Sequence, residues 1–297
     1  MSNKFNYGPL LIILAASLWA FDGIVRRSLF VLPPLQIVFL EHLVGLFFLL
    51  PVILKLKFVD FKKVWKEVSL VSLFSGLLGT LFFTLALHQV FFISFSVVYL
   101  LQKLQPLFAI GSAKLLLKEK FSASYWIYAG LALIAAFYVT FPTGSFSVSD
   151  GGNNLLAGLY ALGAAFFWGV STTFSKKILN QVDHKQATAF RFLGTTLLAG
   201  LAVVIFQRDF VLPASTQWLS LVFIALSTGM VALYFYYQGL KKTSVKVSTI
   251  LELVFPMLAI VIDAVVYKTY LVPIQYFFGL VLLFSLARLV KLEQNLD

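Results

Sequence analysis

LQKLQPLFAI at 101–110 and LELVFPMLAI at 251–260 are the stretches from which the architecture is read. Each sets one ionisable residue, Lys103 or Glu252, and one proline, Pro106 or Pro256, inside an otherwise apolar stretch. Leu101, Pro106, Ala109 and Ile110 return as Leu251, Pro256, Ala259 and Ile260, 150 positions later. The two stretches lie within longer apolar runs, 91–117 and 245–267. A run of roughly 20 apolar residues is long enough to cross a bilayer as a helix. In lipid the backbone must satisfy its own hydrogen bonds, which excludes an open strand.

The same interval recurs along the chain. Ala15, Ala16 and Trp19 return as Ala164, Ala165 and Trp168, and Gly45 and Leu49 as Gly194 and Leu198. Gly79 returns as Gly229, Lys118 as Lys268, and Gly130, Leu131 and Leu133 as Gly279, Leu280 and Leu282. Ten candidate spans follow: 8–25, 34–54, 68–87, 91–117, 125–141, 155–174, 187–206, 218–238, 245–267 and 273–290. The Gly- and Ser-rich loop 142–154 is the joint, giving a first repeat over 1–146 and a second over 147–297. Five spans per repeat is an odd number, so the second repeat enters the membrane upside down. The expected fold is an all-α integral membrane protein of ten transmembrane helices in two inverted five-helix repeats. That architecture is common in secondary transporters, which place substrate at the repeat interface near the midplane.

Composition agrees. Of 297 residues, 60% are hydrophobic and 12% charged, with mean hydropathy +0.94. A soluble domain carries about 25% charged residues. The net charge of +11 is not a nucleic-acid footprint, because the basic residues are scattered through short gaps between apolar runs. With no cysteine there is no disulfide framework and no thiolate metal site. The first apolar run has a counterpart in the second repeat, so it reads as a retained span, not a cleaved signal peptide.

The gaps alternate in charge. The N-terminal side carries Lys4; Lys55, Lys57, Lys62, Lys63 and Lys66; Lys114, Lys118 and Lys120; Lys176, Lys177 and Lys185; Lys241, Lys242 and Lys246; and Arg288 and Lys291. The opposite side carries only Arg26, Arg27, Arg208 and Lys268. Positive loops stay in the cytoplasm, so both termini are expected there, with the chain in the plasma or inner membrane.

These features together resemble the EamA-like branch of the drug/metabolite transporter superfamily over nearly the whole chain. The resemblance rests on the five-plus-five layout, on Trp19 and Trp168 in the opening helices, and on basic His42 and Arg191 at one place in the second helices. It also rests on KLQPLFAIGSAKLLLKEK at 103–120 and ELVFPMLAIVIDAVVYKTY at 252–270. Glu119 fits the acid that closes the family pattern, while Thr269 stands there in the second repeat. The resemblance implies metabolite export or exchange, and leaves the substrate open.

Ionisable groups in the spans mark the candidate site. A charge at a helix centre costs about 2.5–3.5 kcal/mol on insertion scales, so each such group needs a partner or a task. Glu252 and Asp263 share a helix face, with Pro256 nearby to free a carbonyl. Lys103 sits too deep to snorkel, beside Gln102, the counterpart of Glu252. Either residue lines a cavity, or the two hold each other as a structural pair. Glu41 and His42 lie roughly 12 Å into the second span and point about 100° apart. Asp22 suits either a substrate ammonium or its own-helix neighbour Arg26. Arg191, roughly 8 Å from the cytoplasmic end, suits snorkelling, as does Lys114. Among the aromatics, Trp19, Trp168 and Tyr99 are the stacking candidates, with Tyr234, Tyr236 and Tyr237; the rest suit packing or lipid.

No nucleotide-binding, zinc-protease or serine-hydrolase motif occurs, and no cofactor or metal set can be assembled. The expected function is secondary transport of a small organic metabolite by alternating access. The mixed charges suit a zwitterion such as an amino acid. The carboxylates leave proton coupling open beside facilitated diffusion, and the oligomeric state is open. An intramembrane enzyme and a channel-like permease are the other readings. The first lacks an assembled nucleophile. The second favours rings of repeated polar residues, which the two unlike halves do not supply.

Overall fold

The computed structural model describes residues 7–89, 95–117, 123–144, 153–207, 209–243, 248, 251–252 and 254–294. Among these residues the structure is helical and contains no strand. Five helices are long and apolar enough to cross a membrane: Gly8–Leu29, Phe58–His88, Leu155–Leu179, His184–Phe206 and Ser215–Lys242. Shorter apolar helices cover Pro34–Phe48, Trp126–Val139, Val254–Tyr267 and Pro273–Arg288. The Phe58–His88 helix starts earlier than the sequence pattern suggested. Its first turns are amphipathic, with Lys62, Lys63 and Trp65 exposed ahead of the apolar part. The joint at 145–152, Glu119 and the side chain of Lys114 lie outside the described residues.

Small residues allow the helices to close on one another. Ala15, Ala16 and Ala20 of the first helix are buried, as are Ala161, Ala164 and Ala165 of Leu155–Leu179. Without a hydrophobic drive in lipid, such close backbone approach is a main source of helix association. Gly169 comes closest to another backbone: a Cβ there would stand 2.6 Å from the Gln105 carbonyl oxygen and 3.1 Å from the Ala109 nitrogen. The outward faces are apolar instead. Leu197, Leu201, Val204, Ile205 and Phe206 form an exposed stripe on His184–Phe206, which suits a lipid surface and no aqueous one.

Two irregularities face each other across the middle of the molecule. The apolar run around Pro106 is broken: one helix, Phe95–Gln102, stops, Lys103 and Leu104 form a turn, and a second helix, Gln105–Leu117, begins. The run around Pro256 behaves alike, with Glu252 in a turn just before the helix Val254–Ile262. Proline lacks the N–H that would continue the ladder. The freed Glu252 carbonyl is taken up by the Phe255 N–H at 3.0 Å. The second irregularity is a π-helical stretch at Ser72–Gly79 and another at Ile224–Val231. Wide turns of this kind push backbone carbonyls off the helix axis.

Candidate functional site

The broken and widened helices enclose a central cavity of about 130 Å³. Both repeats line it. The first contributes Trp19, Asp22, Arg26, Glu41, His42, Gln102, Lys103 and Gln105, the second Trp168, Arg191, Tyr236, Tyr237, Glu252 and Phe255. Serines and threonines fill the polar wall, among them Ser75, Thr80, Ser171, Thr172, Ser175 and Thr228.

Lys103 and Glu252 meet at the two helix breaks. The Lys103 ammonium donates to Glu252 Oε2 at 3.2 Å, and Gln105 Nε2 donates to the same oxygen at 3.4 Å. The ammonium also lies 4.7 Å from the Phe255 ring centroid. Each residue is only 2% exposed. The second carboxylate oxygen, Oε1, has no hydrogen-bond partner among the described residues, and neither has Gln102 Oε1. The Tyr236 hydroxyl faces Glu252, Ser248 and Thr172, but meets hydrogen-bond geometry with none of them. The pair is thus partly satisfied, with acceptor capacity left over.

A second cluster is closed on itself. Arg26 lies between two carboxylates. Its Nε and Nη2 donate to Asp22, and its Nη2 stands 2.7 Å from Glu41 Oε2. Arg26 Nη1 donates to Thr84 Oγ1 at 3.2 Å, and the Thr228 hydroxyl donates to Asp22 from the other repeat. The sequence pattern assigned Arg26 to an outer loop; the structure buries it at 4% exposure. Pairing with two carboxylates is what makes that burial tolerable. Of the two roles open to Asp22, the pair with Arg26 is the one formed.

His42 donates from Nδ1 to the Val38 carbonyl at 2.8 Å and packs its ring on Phe192. Its Nε2 therefore carries the free lone pair. The two matched tryptophans differ. Trp168 Nε1 donates to the Ser75 carbonyl of the π-helical stretch at 3.0 Å. Trp19 packs on Tyr236 with ring centroids 5.2 Å apart, and its indole N–H has no partner among the described residues.

Four expectations need correction. Tyr99 does not line the central cavity. Its ring stacks between Phe83 and Phe255, and its hydroxyl accepts the Gly23 N–H at 2.9 Å, beside a separate minor void. Asp263 is buried but stands apart from the cavity, and Tyr234 packs edge-on against His184 instead. Arg191 does not snorkel. It lines the cavity, donates from Nη1 to the Tyr237 hydroxyl at 3.4 Å, and leaves its Nε without a partner. Tyr237 in turn shares a 3.3 Å hydrogen bond with Ser175. Pro106 and Pro256 stand behind the breaks without lining the cavity. The wall hydroxyls gave no sequence signal, because Ser and Thr are ordinary in membrane helices.

The family model described as the EamA-like transporter family matches twice, at residues 6–141 and 155–290. The two matches are displaced by the interval of the sequence repeat. The protein named Riboflavin transporter ImpX, from Fusobacterium nucleatum subsp. nucleatum, is 38% identical over 293 residues, covering 96% of this chain and 98% of its own. A solved structure described only as "Crystal structure of protein" matches with TM-score 0.67 and 19% identity, covering 98% of both chains. At that identity it bears on the fold alone.

Proposed function

The chain belongs to the EamA-like transporter family, and from that premise we propose that it carries a small planar heteroaromatic metabolite, with riboflavin the first candidate. Transport is secondary and by alternating access, through the central cavity between two inverted five-helix repeats. Both termini lie in the cytoplasm. The burial of Arg26 supports this orientation, because it removes one of the few basic residues from the outer side. A single cysteine in place of Ser147 should then label from the outside only; labelling from the cytoplasmic side alone would reverse the orientation.

The observation that carries the proposal is the cavity at the two helix breaks. Discontinuous helices at a repeat interface are where transporters of this build hold their substrates. Its wall combines flat rings (Trp19, Trp168, Tyr236, Phe255) with a row of hydroxyls and amides. That mixture suits a flat ring carrying a polyhydroxyl chain. It suits an amino acid less well, because each cavity carboxylate already faces a cation that a substrate ammonium would have to share it with.

The test is counterflow of labelled riboflavin in proteoliposomes. Saturable, trans-stimulated exchange is expected, abolished by Glu252→Gln or Lys103→Met while each variant still purifies as one species. Non-saturating conductance would make the protein a channel. Full transport by the double variant would make Lys103 and Glu252 a static pair with no part in substrate handling.

A further inference from the structure

We infer that Arg191, with the Tyr237 and Ser175 hydroxyls, forms an oxyanion subsite, so that the cavity prefers substrates bearing a carboxylate or phosphate. This deepens the transport reading above and rests on it for the location of the substrate.

The cavity's three carboxylates face three cations but do not pair one to one. Asp22 and Glu41 share Arg26, and Glu252 holds Lys103. Arg191 is the cation without a direct partner: Glu41 acts on it electrostatically, but among the described residues no carboxylate stands within 4.0 Å of it. A guanidinium carries five N–H donors. Here one of them makes a 3.4 Å bond to Tyr237, and the buried Nε makes none. A cation with no carboxylate in contact is expensive within a membrane-spanning helix, and such residues in general serve a passing or bound charge. Packing gives no alternative account, because Arg191 has no other side-chain hydrogen bond among the described residues.

The surroundings are those an oxyanion requires. The Tyr237 hydroxyl accepts from Arg191 and so can turn its own proton toward a ligand or toward Ser175. One turn away on the same helix, Ser171 is 1% exposed and its hydroxyl has no partner. A planar guanidinium fork matches two oxygens of a carboxylate or phosphate at once. A lone ammonium would not impose that geometry.

The experiment compares ligands that differ only in the anion. Riboflavin and riboflavin 5′-phosphate are titrated against the purified protein by flavin fluorescence quenching. Indole-3-ethanol and indole-3-acetate are titrated by isothermal calorimetry. The wild-type protein should bind the charged member of a pair about ten- to a hundredfold more tightly, the range for a hydrogen bond to a charged group. Arg191→Gln should erase that preference, read as the ratio of the two affinities within each pair, so that any loss common to both members cancels. Arg191→Lys, which keeps charge but not the fork, should retain part of it, and it serves if the Gln variant does not fold. No preference in either pair, or a preference that survives Arg191→Gln, overturns the inference. An acid preference among indoles without flavin binding keeps the oxyanion subsite and removes the flavin reading. Flavin binding without a phosphate preference, and equal indole binding, does the reverse. Binding of none of the four overturns both.

Discussion

The opening helices of the two repeats carry the same Trp and Ala framework, yet the polar residues that follow the Trp differ. After Trp19 come Asp22 and Arg26; at the matched places after Trp168 stand Ser171 and Ser175. Asp22 and Arg26 are locked, together with Glu41, into a network that also recruits Thr84 and Thr228. Among the described residues, Ser171 is left without a partner and the Ser175 hydroxyl bonds only to Tyr237. The second helices differ in the same sense: Glu41 is held by Arg26, whereas Arg191 is held by no carboxylate.

The difference follows from the price of burial. A charge in lipid must be compensated close by, so Asp22, Arg26 and Glu41 enter the first repeat as a set. A hydroxyl can stand alone in a cavity, because water or a solute satisfies it. Duplication therefore supplies two similar scaffolds, and the polar residues make one a fixed strut and the other an open wall.

The largest expected effect breaks the strut. Arg26→Ala leaves Asp22 and Glu41 facing each other without a cation, and should cost about 3–5 kcal/mol of stability, the range for a broken buried pair. Thermal unfolding in detergent micelles measures it. The triple neutralisation Asp22→Asn, Arg26→Met, Glu41→Gln should recover most of the loss, because no member of this network is then left charged without its partner. Ser171→Ala and Ser175→Ala, at the matched places, should each change stability by about 1 kcal/mol or less. Equal losses on both sides would show that the hydroxyl wall is as structural as the charged network.

Much of this was legible in the sequence. Lys103 before Pro106 and Glu252 before Pro256 marked the two breaks, because proline and a buried charge each disfavour a continuous apolar helix. Trp19, Trp168, Glu41, His42, Asp22 and Gln102 were picked out as polar or amphipathic groups inside spans, and all six line the cavity. Arg191 was misread because its depth from the span end says nothing about which face it occupies. Arg26 was misread because it stands next to Arg27 near a span end, and only its partners from other helices bring it inside. Tyr99 was misplaced because its Gly23 partner lies 76 positions away. The π-helical stretches have no sequence signature, so the Ser75 carbonyl that holds Trp168 could not be anticipated.

The smallest expected effect concerns the two tryptophans, and it sharpens the contrast most cleanly. Trp→Phe at either place removes the same ring area and the same N–H, so loss of bulk largely cancels when the two variants are compared. What remains is the hydrogen bond. Trp168 donates to the Ser75 carbonyl, which also accepts from Thr80 at 3.2 Å, so Trp168→Phe loses one bond without orphaning the acceptor. The extra destabilisation relative to Trp19→Phe should be about 1 kcal/mol, the net value of one such bond. Trp19 donates to no described residue and packs on Tyr236 at the cavity wall. Its replacement should leave folding nearly as that of the wild type and weaken flavin binding several-fold instead, by removing a donor and part of a stacking surface. Equal loss of stability in the two variants, with flavin affinity unchanged in Trp19→Phe, would make Trp19 a packing residue like its counterpart, and the two repeats would then differ only in their charges.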